Sequence, residues 1–291
     1  MKVRKAVIPA AGLGTRVLPA TKSIPKEILP IVDKPAIHYI VEEAVLSGIT
    51  DILIITSRGK APLEDYFDRA PELEQHLLRT GKDEMYQQVL EPTKLANIQY
   101  IRQKETKGLG HAVLCAKEFV GNEPFAVLYA DDVIISPPGS PATGELCCAY
   151  EKYGKGVVGI KEVTPEQILR YSSLAVTPLE ERVFSVTDMV EKPAPDKILS
   201  LYSILGRCVL PPEIFEILER TQPGAGGEIQ LTDAMRELCS TSGMTGVEYL
   251  GKRYDMGNKL GIMEASIEVA LKHPEIGAEF TKYLKDLAKK L

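Results

Sequence analysis

The sequence predicts an α/β fold with a mixed, mostly parallel central sheet flanked by helices and followed by a C-terminal helical extension. Short apolar runs alternate with helical segments through the first half of the chain, as in sheets built from β-α-β units. The first apolar run ends in a glycine loop. Residues 259–272 and 274–290 have the spacing of two closing amphipathic helices.

Length and charge limit the function classes. A chain of 291 residues, 44% of them hydrophobic, can form one large domain with insertions, and we expect residues 1–291 to do so. The net charge is −5, and the lysines and arginines are spread along the chain. Because nucleic-acid binders usually concentrate basic residues on one face, this distribution argues against a nucleic-acid partner.

Cysteine usage and hydropathy indicate the compartment. The five cysteines include no Cys-x-x-Cys pair, which argues against a disulfide framework or a zinc site and favours a reducing environment. Residues 1–5 lead directly into a strand without the apolar core of a signal peptide, and no stretch is apolar enough to span a bilayer. We therefore expect a cytoplasmic protein that does not bind membranes.

The first half of the chain alternates strands and helices. Residues 35–47 have helical apolar spacing, with Pro35 in the first turn and Gly48 as the stop. Residues 51–56 form a continuous apolar run, as expected of a parallel strand covered on both faces. The other expected elements are helical residues within 60–90, a strand at 98–102, a helix at 110–119 and a strand at 125–129.

The pattern becomes less regular after Pro137 and Pro138. Partly alternating segments favour strands that extend or flank the sheet, and two segments have helical spacing. The expected strands are residues 156–163, 173–177, 182–190, 204–210 and 247–250, and the expected helices are 211–220 and 228–239. Because ligands bind at the carboxyl ends of the strands in such sheets, we expect the functional site there.

The glycine loop after the first strand is the clearest functional signal. It leads from the strand to two cations, through Gly12, Gly14, Arg16 and Lys26. Backbone amides with nearby cations are suited to binding phosphates, whereas a lone Gly-x-Gly is often an ordinary tight turn. Val17 replaces the third glycine of a dinucleotide fingerprint, and no Walker lysine follows. The combination therefore predicts a nucleotide site of another kind.

Acidic residues follow another predicted strand. Asp131 and Asp132 come directly after the apolar run 125–129, where paired carboxylates can hold a hard cation such as Mg²⁺ that bridges phosphates. An Asp-Asp pair by itself is more often a turn or a helix cap, but its position at a strand end favours the metal site. Asp255 is a candidate second carboxylate, and as an isolated residue it could equally belong to a turn.

Two further clusters could bind the rest of the substrates. Gln103, with Gly108 nearby, offers an amide donor and acceptor suited to the imide edge of uracil or thymine. Taken alone, however, the Gly-Leu-Gly-His-Ala run is only a helix start. Glu191 and Lys192 follow a predicted strand and could meet sugar hydroxyls and a sugar phosphate, or form an exposed ion pair before a turn.

The four histidines fit no catalytic pattern. None lies in a Ser/His/Asp-like or metal-ligand arrangement, and we interpret His38, His76 and His273 as surface or satisfied residues. If the reaction is nucleotidyl transfer to a sugar phosphate, it needs no general base, because the attacking phosphate oxygen is already anionic at neutral pH. It needs positioning and charge stabilisation, which amides, arginine, lysine and carboxylate-bound Mg²⁺ can supply.

With these motifs taken together, the chain resembles the bacterial UTP–glucose-1-phosphate uridylyltransferases over nearly its whole length. The matching segments are 11–16, 18–22, 25–27, Gln103, 108–112, 131–132, 190–193, 206–207, 227–233 and 253–255. The resemblance implies a Rossmann-like nucleotidyltransferase fold and a Mg²⁺-dependent reaction of UTP with glucose 1-phosphate that yields UDP-glucose and pyrophosphate. It also implies a homodimer or homotetramer.

The resemblance assigns roles as well. It divides the chain into a nucleotide-binding part, about residues 1–135, and a sugar-binding and C-terminal helical part, about 136–291. The implied catalytic residues are Arg16, Lys26 and Asp131, and the implied metal ligands are Asp131, Asp132 and Asp255. The implied substrate contacts are Ala10, Ala11, Gly12, Gly14, Thr15, Lys26, Gln103, Gly108, Asp132, Ser172, Glu191, Lys192 and Gly206.

Four departures from the family pattern lie mostly on the sugar side. Ser172 stands where the family usually has glycine, and residues 198–201, Ala130 and Cys208 also differ. The hexose preference therefore stays open. The alternatives are a uridylyltransferase for another hexose 1-phosphate, a thymidylyltransferase, and a catalytically silent nucleotide-sugar-binding paralogue.

Overall fold

The computed structural model describes residues 1–290 and has a large central sheet with helices on both faces. The strands in chain order are β1 Lys5–Pro9, β2 Pro30–Ile31, β3 Lys34–Pro35, β4 Asp51–Thr56, β5 Asn97–Arg102, β6 Phe125–Leu128, β7 Asp132–Ile135, β8 Gly156–Glu162, β9 Ser172–Glu180, β10 Val183–Glu191, β11 Tyr202–Leu210, β12 Met244–Val247 and β13 Lys252–Asp255. The helices are α1 Ala36–Leu46, α2 Ala61–Phe67, α3 Pro71–Arg79, α4 Asp83–Leu90, α5 Leu109–Leu114, α6 Lys117–Val120, α7 Ala142–Tyr153, α8 Pro165–Ile168, α9 Ile214–Arg220, α10 Leu231–Ser242, α11 Lys259–Lys272 and α12 Gly277–Ala288.

Within residues 1–290 the main sheet has nine strands, in the order β5-β4-β1-β6-β11-β8-β12-β10-β9. In it β11 is antiparallel to β6 and β8, and β10 is antiparallel to β12 and β9. The other described strands of this sheet run in one direction, which confirms the predicted mixed, mostly parallel sheet. Two small ribbons, β2–β3 and β7–β13, lie beside it.

The sheet separates two hydrophobic cores because successive side chains of a strand point to opposite faces. Ala6 and Ile8 of β1 join the core under α1, whereas Val7 joins the core formed with α9 and α10. In the second core Phe125 of β6 stacks on Phe215 of α9 with ring centroids 5.1 Å apart. No helix within residues 1–290 is long and apolar enough to cross a membrane.

Some elements differ from the expectation. The helix expected at 110–119 is two short helices, because the chain bends where Ala116 N donates to Val113 O in place of an α-helical bond. The strand expected at 247–250 is β12, which ends at Val247. Gly246 weakens the apolar strand pattern of β12 in the sequence. The glycine fits the packing of the sheet, because a Cβ there would lie only 2.9 Å from Ile160 Cδ1. Helix α7 and the ribbons were not predicted.

Candidate active site

The glycine loop leaves the carboxyl end of β1, as expected. Ala10 N donates to Ile55 O of β4 at 2.8 Å, and the loop continues into a short 3₁₀ turn at Thr15–Val17. Gly14 has a φ of 68°, in the left-handed region that favours glycine, and a Cβ there would lie 3.2 Å from Thr21 Cγ2. Thr21 Oγ1 donates to Gly14 O at 2.7 Å and so holds the loop closed.

The rest of the loop keeps its backbone accessible. Ser57 Oγ donates to Ala11 O at 3.1 Å, which ties this part of the loop to the end of β4. A Cβ at Gly12 would point into open space. The amides between Ala11 and Gly14 therefore lie on a loop that is anchored at both ends, as phosphate binding requires.

A buried ion pair positions the segment that carries Lys26. Glu27 is fully buried, and Lys60 Nζ lies 2.9 Å from both of its carboxylate oxygens. Lys60 also donates to the carbonyl of Ala10, so the pair ties this segment to the end of β1. Burial raises the pKa of Glu27 and lowers that of Lys60, against their mutual attraction. Lys60 has no motif around it, and sequence reasoning missed it.

The three predicted aspartates come together at the ends of two paired strands. Strands β7 and β13 are antiparallel, and their register places Asp255 opposite Asp132. Lys26 Nζ lies 2.6 Å from Asp131 Oδ2. Arg16 contacts two of the aspartates, with its NH2 atom 3.3 Å from Asp131 Oδ2 and its NH1 atom 3.6 Å from Asp255 Oδ2. The glycine loop, the Lys26 segment and the aspartates thus form one charged cluster.

Arg253 holds the remaining aspartate. Its Nε and NH2 atoms lie 2.7 Å and 2.6 Å from Asp132 Oδ1, and its guanidinium lies 5.1 Å from the ring centre of Tyr171. Gly206, expected at the substrate, packs on the same side chain: its φ is 75°, and a Cβ would lie 2.7 Å from Asp132 Cβ. The glycine therefore allows β11 to approach Asp132 closely.

The two neighbouring aspartates have opposite pKa shifts. Burial would raise the pKa of Asp131, but Lys26 and then Arg16 outweigh it, so the pKa is below its usual range. Burial raises the pKa of Asp132 to about 6, and the negative charges of Asp131 and Asp255 oppose the effect of Arg253. At neutral pH Asp131 is therefore fully ionised, whereas the pKa of Asp132 lies only about one pH unit below neutrality.

The carboxylates fit a hard divalent cation. Asp131 and Asp255 are within reach of a single guanidinium, so their oxygens face the same space. Neighbouring carboxylates repel one another, and a set of oxygen ligands is the one that Mg²⁺ prefers. Asp132 is held by Arg253 and is nearly inaccessible, with 5% of its side chain exposed, whereas 24% of Asp131 is exposed. Asp255 is intermediate, with 10% of its side chain exposed and its Oδ2 atom 4.0 Å from Arg253 NH2, so Asp131 and Asp255 are the pair that fits a cation better.

Gln103 lies in a second group of site residues and has a defined orientation. Its Nε2 atom lies 3.1 Å from Gly108 O and 2.8 Å from His111 Nδ1. A carbonyl oxygen only accepts, so the atom beside Gly108 must be the amide nitrogen. Burial lowers the pKa of His111, which leaves its ring neutral and able to accept at Nδ1. Sequence reasoning missed His111, although it stands within the glycine-rich run after Gln103.

The glycines beside Gln103 pack against the segment before α10. Gly108 has a φ of 105°, and a Cβ there would lie 2.7 Å from Glu228 Cβ. Gly110 N donates to Ile229 O at 2.8 Å, and Ile229 N donates to Lys107 O at the same distance. The resemblance implies that Gly108 contacts the substrate, but a Cβ at Gly108 or Gly110 would meet protein atoms, so this side of both glycines is covered. They bring the segment 228–230 next to Gln103.

Glu191 and Lys192 form the third group, at the end of β10. Glu191 Oε2 accepts a hydrogen bond from Thr232 Oγ1 at 2.8 Å, and burial raises the pKa of Glu191. Lys192 has a φ of 45°, a conformation that non-glycine residues rarely adopt, and its N–H donates to Tyr171 O at 2.9 Å. The alternative of an exposed ion pair before a turn does not describe this geometry, since Glu191 is bound by Thr232.

The three groups are connected through two shared segments. The hydroxyl of Tyr171 accepts from Arg253 NH1 at 3.4 Å, while its backbone carbonyl accepts from Lys192. Ile229 binds the Gln103 side of the site, and Thr232 of the same segment binds Glu191. The charged cluster, Gln103 and Glu191 therefore border one region, next to the carboxyl ends of β1, β5 and β6.

Ser172, the main departure on the sugar side, is turned into the protein. It is 4% exposed, and its Oγ atom accepts from Ile204 N at 3.1 Å and lies 3.4 Å from Ser203 Oγ. Ser173 Oγ accepts from Leu199 N at 2.9 Å and donates to Ser200 O at 2.7 Å. Ser173, next to Ser172, therefore binds the unusual segment 198–201, whereas Ser172 itself binds Ser203 and Ile204.

Comparisons with known proteins agree with this architecture. The nucleotidyl transferase family profile matches residues 5–271. The chain is 52% identical, over 99% of its length and 97% of the relative's, to UTP–glucose-1-phosphate uridylyltransferase YngB of Bacillus subtilis (strain 168). A UDP-glucose pyrophosphorylase complexed with UDP-glucose superposes with a TM-score of 0.83 at 43% identity, covering 93% of this chain and 100% of that one. A UTP-bound UGPase from Acinetobacter baumannii has a TM-score of 0.90 at 38% identity, covering 98% and 99%.

Proposed function

Because this chain belongs to the nucleotidyl transferase family, and within it to the UTP–glucose-1-phosphate uridylyltransferases, we propose that it joins UTP and glucose 1-phosphate into UDP-glucose and releases pyrophosphate. The observation that carries the proposal is the charged cluster of Arg16, Lys26, Asp131 and Asp255 beside an anchored glycine loop. Cations next to free loop amides suit a triphosphate. The names of the relatives supply the two substrates.

In this reaction an oxygen of the sugar phosphate attacks the α-phosphorus of UTP. The new P–O bond forms in line with the bond to the β-phosphate, which breaks as pyrophosphate leaves with the electron pair. The attacking oxygen is anionic from the start, so no side chain has to remove a proton. The protein's task is to bring two anions together and to stabilise the charge of the leaving group.

Arg16 and Lys26 have different parts in that task. Lys26 is held at 2.6 Å from Asp131 and is mostly buried, so it forms a fixed positive charge beside the loop. The Arg16 side chain is 61% exposed and its contacts with the aspartates are longer, so it can turn toward a phosphate without breaking a strong pair. We propose that Arg16 and Lys26 bind the triphosphate of UTP.

Mg²⁺ would be held by Asp131 and Asp255, with Asp132 positioned beside them by Arg253. The bound ion supplies positive charge to the phosphate oxygens. On the protein side, the low pKa of Asp131 keeps that carboxylate ionised across the neutral range. This choice of Asp131 over Asp132 rests on exposure and on the Arg253 pair.

Glu191 and Lys192 are the proposed sugar-side residues. Glu191 is oriented by Thr232 and can accept from sugar hydroxyls. Lys192 is held in a strained backbone conformation through its bond to Tyr171, as residues that position a side chain in a site often are. Ser172 points to the backbone of Ile204, away from an open site, so its hydroxyl does not by itself argue for another hexose.

A pyrophosphate-release assay over a matrix of nucleotides and sugar phosphates tests the proposed function. We expect the highest kcat/KM for UTP with glucose 1-phosphate, compared with dTTP or CTP and with galactose 1-phosphate or N-acetylglucosamine 1-phosphate. A preference for dTTP would indicate the thymidylyltransferase, and a preference for another sugar would overturn the glucose assignment. Tight binding of UDP-glucose without turnover of any pair would indicate a silent paralogue.

Gln103 gives a further test of nucleobase selection. Both Nε2 hydrogens are engaged by Gly108 and His111, which leaves Oε1 to accept from the N3–H of uracil. Cytosine lacks that hydrogen. We therefore expect Gln103→Leu to lower kcat/KM for UTP by about ten- to a hundredfold, the value of about 1–3 kcal/mol for one buried hydrogen bond, and to leave the low activity with CTP unchanged.

The matched control is Gln99→Leu, because Gln99 is an exposed residue of β5, the strand that Gln103 directly follows. It should leave the kcat/KM for UTP within about twofold of the wild-type value, as surface substitutions usually do. An equal loss for UTP and CTP in Gln103→Leu would contradict the assignment of Gln103 to the base and would indicate a general disturbance of the site.

A further inference from the structure

His38 has a buried nitrogen that the fold leaves without a partner. The residue is 1% exposed, and its Nε2 atom makes no hydrogen bond within the part of the chain that the structure describes. The interpretation of His38 as a surface or satisfied residue is therefore wrong. A buried polar atom without a partner is unfavourable in a folded protein and calls for an explanation.

Two carboxylates face this nitrogen. Glu42 Oε1 lies 3.8 Å and Glu91 Oε1 lies 4.0 Å from His38 Nε2. His38 and Glu42 are one turn apart on the same face of α1, whereas Glu91 follows α4 in another part of the chain. One oxygen of each glutamate and the imidazole nitrogen all lie within 4.8 Å of one another. We propose that His38, Glu42 and Glu91 form a binding site for a transition-metal ion, with Zn²⁺ as the expected occupant.

The other ring nitrogen of His38 is already oriented. Nδ1 lies 2.9 Å from the hydroxyl of Tyr66, a residue of α2. A tyrosine hydroxyl is neutral at physiological pH and can accept a hydrogen bond. The tautomer that donates from Nδ1 to Tyr66 directs the Nε2 lone pair at the carboxylates. Metal-bound histidines are commonly oriented by such a second hydrogen bond.

The ligand types select the metal. An imidazole nitrogen with two carboxylates suits Zn²⁺ or Co²⁺, whereas Mg²⁺ prefers oxygen ligands such as those of the aspartate cluster. Donors at about 2.0–2.2 Å from a tetrahedral zinc ion lie about 3.4 Å apart. The distances from His38 Nε2 to Glu42 and Glu91 would therefore shorten by about half an ångström. The two glutamate side chains are 37% and 47% exposed, which leaves them free to move.

The ammonium group of Lys34 competes with a metal ion for the two carboxylates. Its Nζ atom lies 3.4 Å from Glu91 Oε1 and 3.8 Å from Glu42 Oε1, so an ammonium group now neutralises part of the charge. The plain alternative is a surface ion-pair cluster that binds no metal. The Lys34 side chain is 32% exposed and can turn to solvent, and these contacts are longer than a strong ion pair. Metal binding then releases the lysine, and removing Lys34 should favour it.

The position of the site indicates its effect. Glu91 lies directly after α4, Tyr66 belongs to α2, and His38 and Glu42 lie on α1. A bound ion would cross-link the 61–94 segment to α1. It would stabilise the folded protein, because it binds an arrangement that the unfolded chain lacks. The site is separate from the proposed catalytic aspartates and does not depend on the proposed reaction.

Calorimetric titration of the chelator-treated, full-length protein with Zn²⁺, in the presence of excess Mg²⁺, tests the proposal. We expect one Zn²⁺ per chain and a rise in Tm on binding. His38→Gln should weaken Zn²⁺ binding about ten- to a hundredfold, and Lys34→Gln should tighten it several-fold by removing the competing charge. The matched control is His273→Gln, which removes a histidine paired with Asp33 and should leave Zn²⁺ affinity unchanged.

The outcomes are separable. With Co²⁺ as the probe, the visible spectrum should show nitrogen and oxygen ligation without a thiolate charge-transfer band, which excludes capture by a cysteine such as the exposed Cys148. If His38→Gln fails to fold, Glu91→Gln carries the same expectation from a partly exposed position. Equal Zn²⁺ affinity in wild type and the ligand variants, or no binding by either wild type or Lys34→Gln, would overturn the site.

Discussion

Replacing Asp131 by asparagine is expected to lower kcat for pyrophosphate release from UTP and glucose 1-phosphate by at least about a thousandfold, the upper range for removing one preorganised charge from a site. Asp131 Oδ2 contacts both Lys26 and Arg16, at 2.6 Å and 3.3 Å, and so orients the two cations assigned to the triphosphate. It is also one of the two carboxylates that fit the divalent cation. The amide keeps the shape and removes the charge, so the loss is electrostatic.

The matched control is Asp286→Asn, since Asp286 lies on α12 and its ion pair within the described residues is with Lys289, directly after that helix. This variant should have wild-type kcat. Circular dichroism and Tm show whether Asp131→Asn is folded, which we expect because surface-accessible carboxylates at a site seldom hold a fold together. Wild-type turnover in a folded Asp131→Asn protein would remove Asp131 from the mechanism.

Replacing Arg207 by methionine is expected to lower the free energy of unfolding by about 3–5 kcal/mol, the range for breaking a buried ion pair from one side. Arg207 is fully buried, and its Nε and NH2 atoms lie 3.0 Å and 2.7 Å from the two carboxylate oxygens of Glu43. The variant leaves the Glu43 carboxylate in the core without a counter-charge. Urea denaturation followed by circular dichroism measures the loss.

The double variant Arg207→Met/Glu43→Leu separates the ion pair from simple packing. Replacing both charges by apolar residues of similar size removes the uncompensated charge, so most of the lost stability should return. Part of it should not, because Thr143 donates to Glu43 from both its backbone N and its Oγ1 atom. If the double variant were no more stable than Arg207→Met, the pair would not be the cause.

The parts of the fold that the sequence predicts well are those with a local pattern. The strand Asp51–Thr56 has the predicted bounds because six consecutive residues carry the apolar run of a parallel strand. Helix α11 likewise has the expected bounds of Lys259–Lys272. Helix α7 was missed because Gly144 and two cysteines weaken its amphipathic pattern, and its burial against β8 and β11 is a tertiary effect.

In the candidate site, too, the residues with a local sequence pattern were predicted and the others were not. Gly14, Lys26 and the two aspartates lie within or directly after recognisable runs, and the structure places them at the carboxyl ends of the strands. The residues that orient them carry no local signal. Lys60 reaches Glu27 over 33 positions, and Arg253 reaches Asp132 over 121. Which side chains meet over such separations depends on strand order and register.

From the amino-acid order alone follow the α/β architecture, the glycine loop and the acidic strand end, because adjacent residues encode them. The tertiary structure alone decides that Asp255 belongs to the acidic cluster, through the β7–β13 register, and that Asp131 is available while Asp132 is held by Arg253. It also shows the unpartnered nitrogen of His38. These outcomes depend on burial and on the distances between distant segments, which no local pattern specifies.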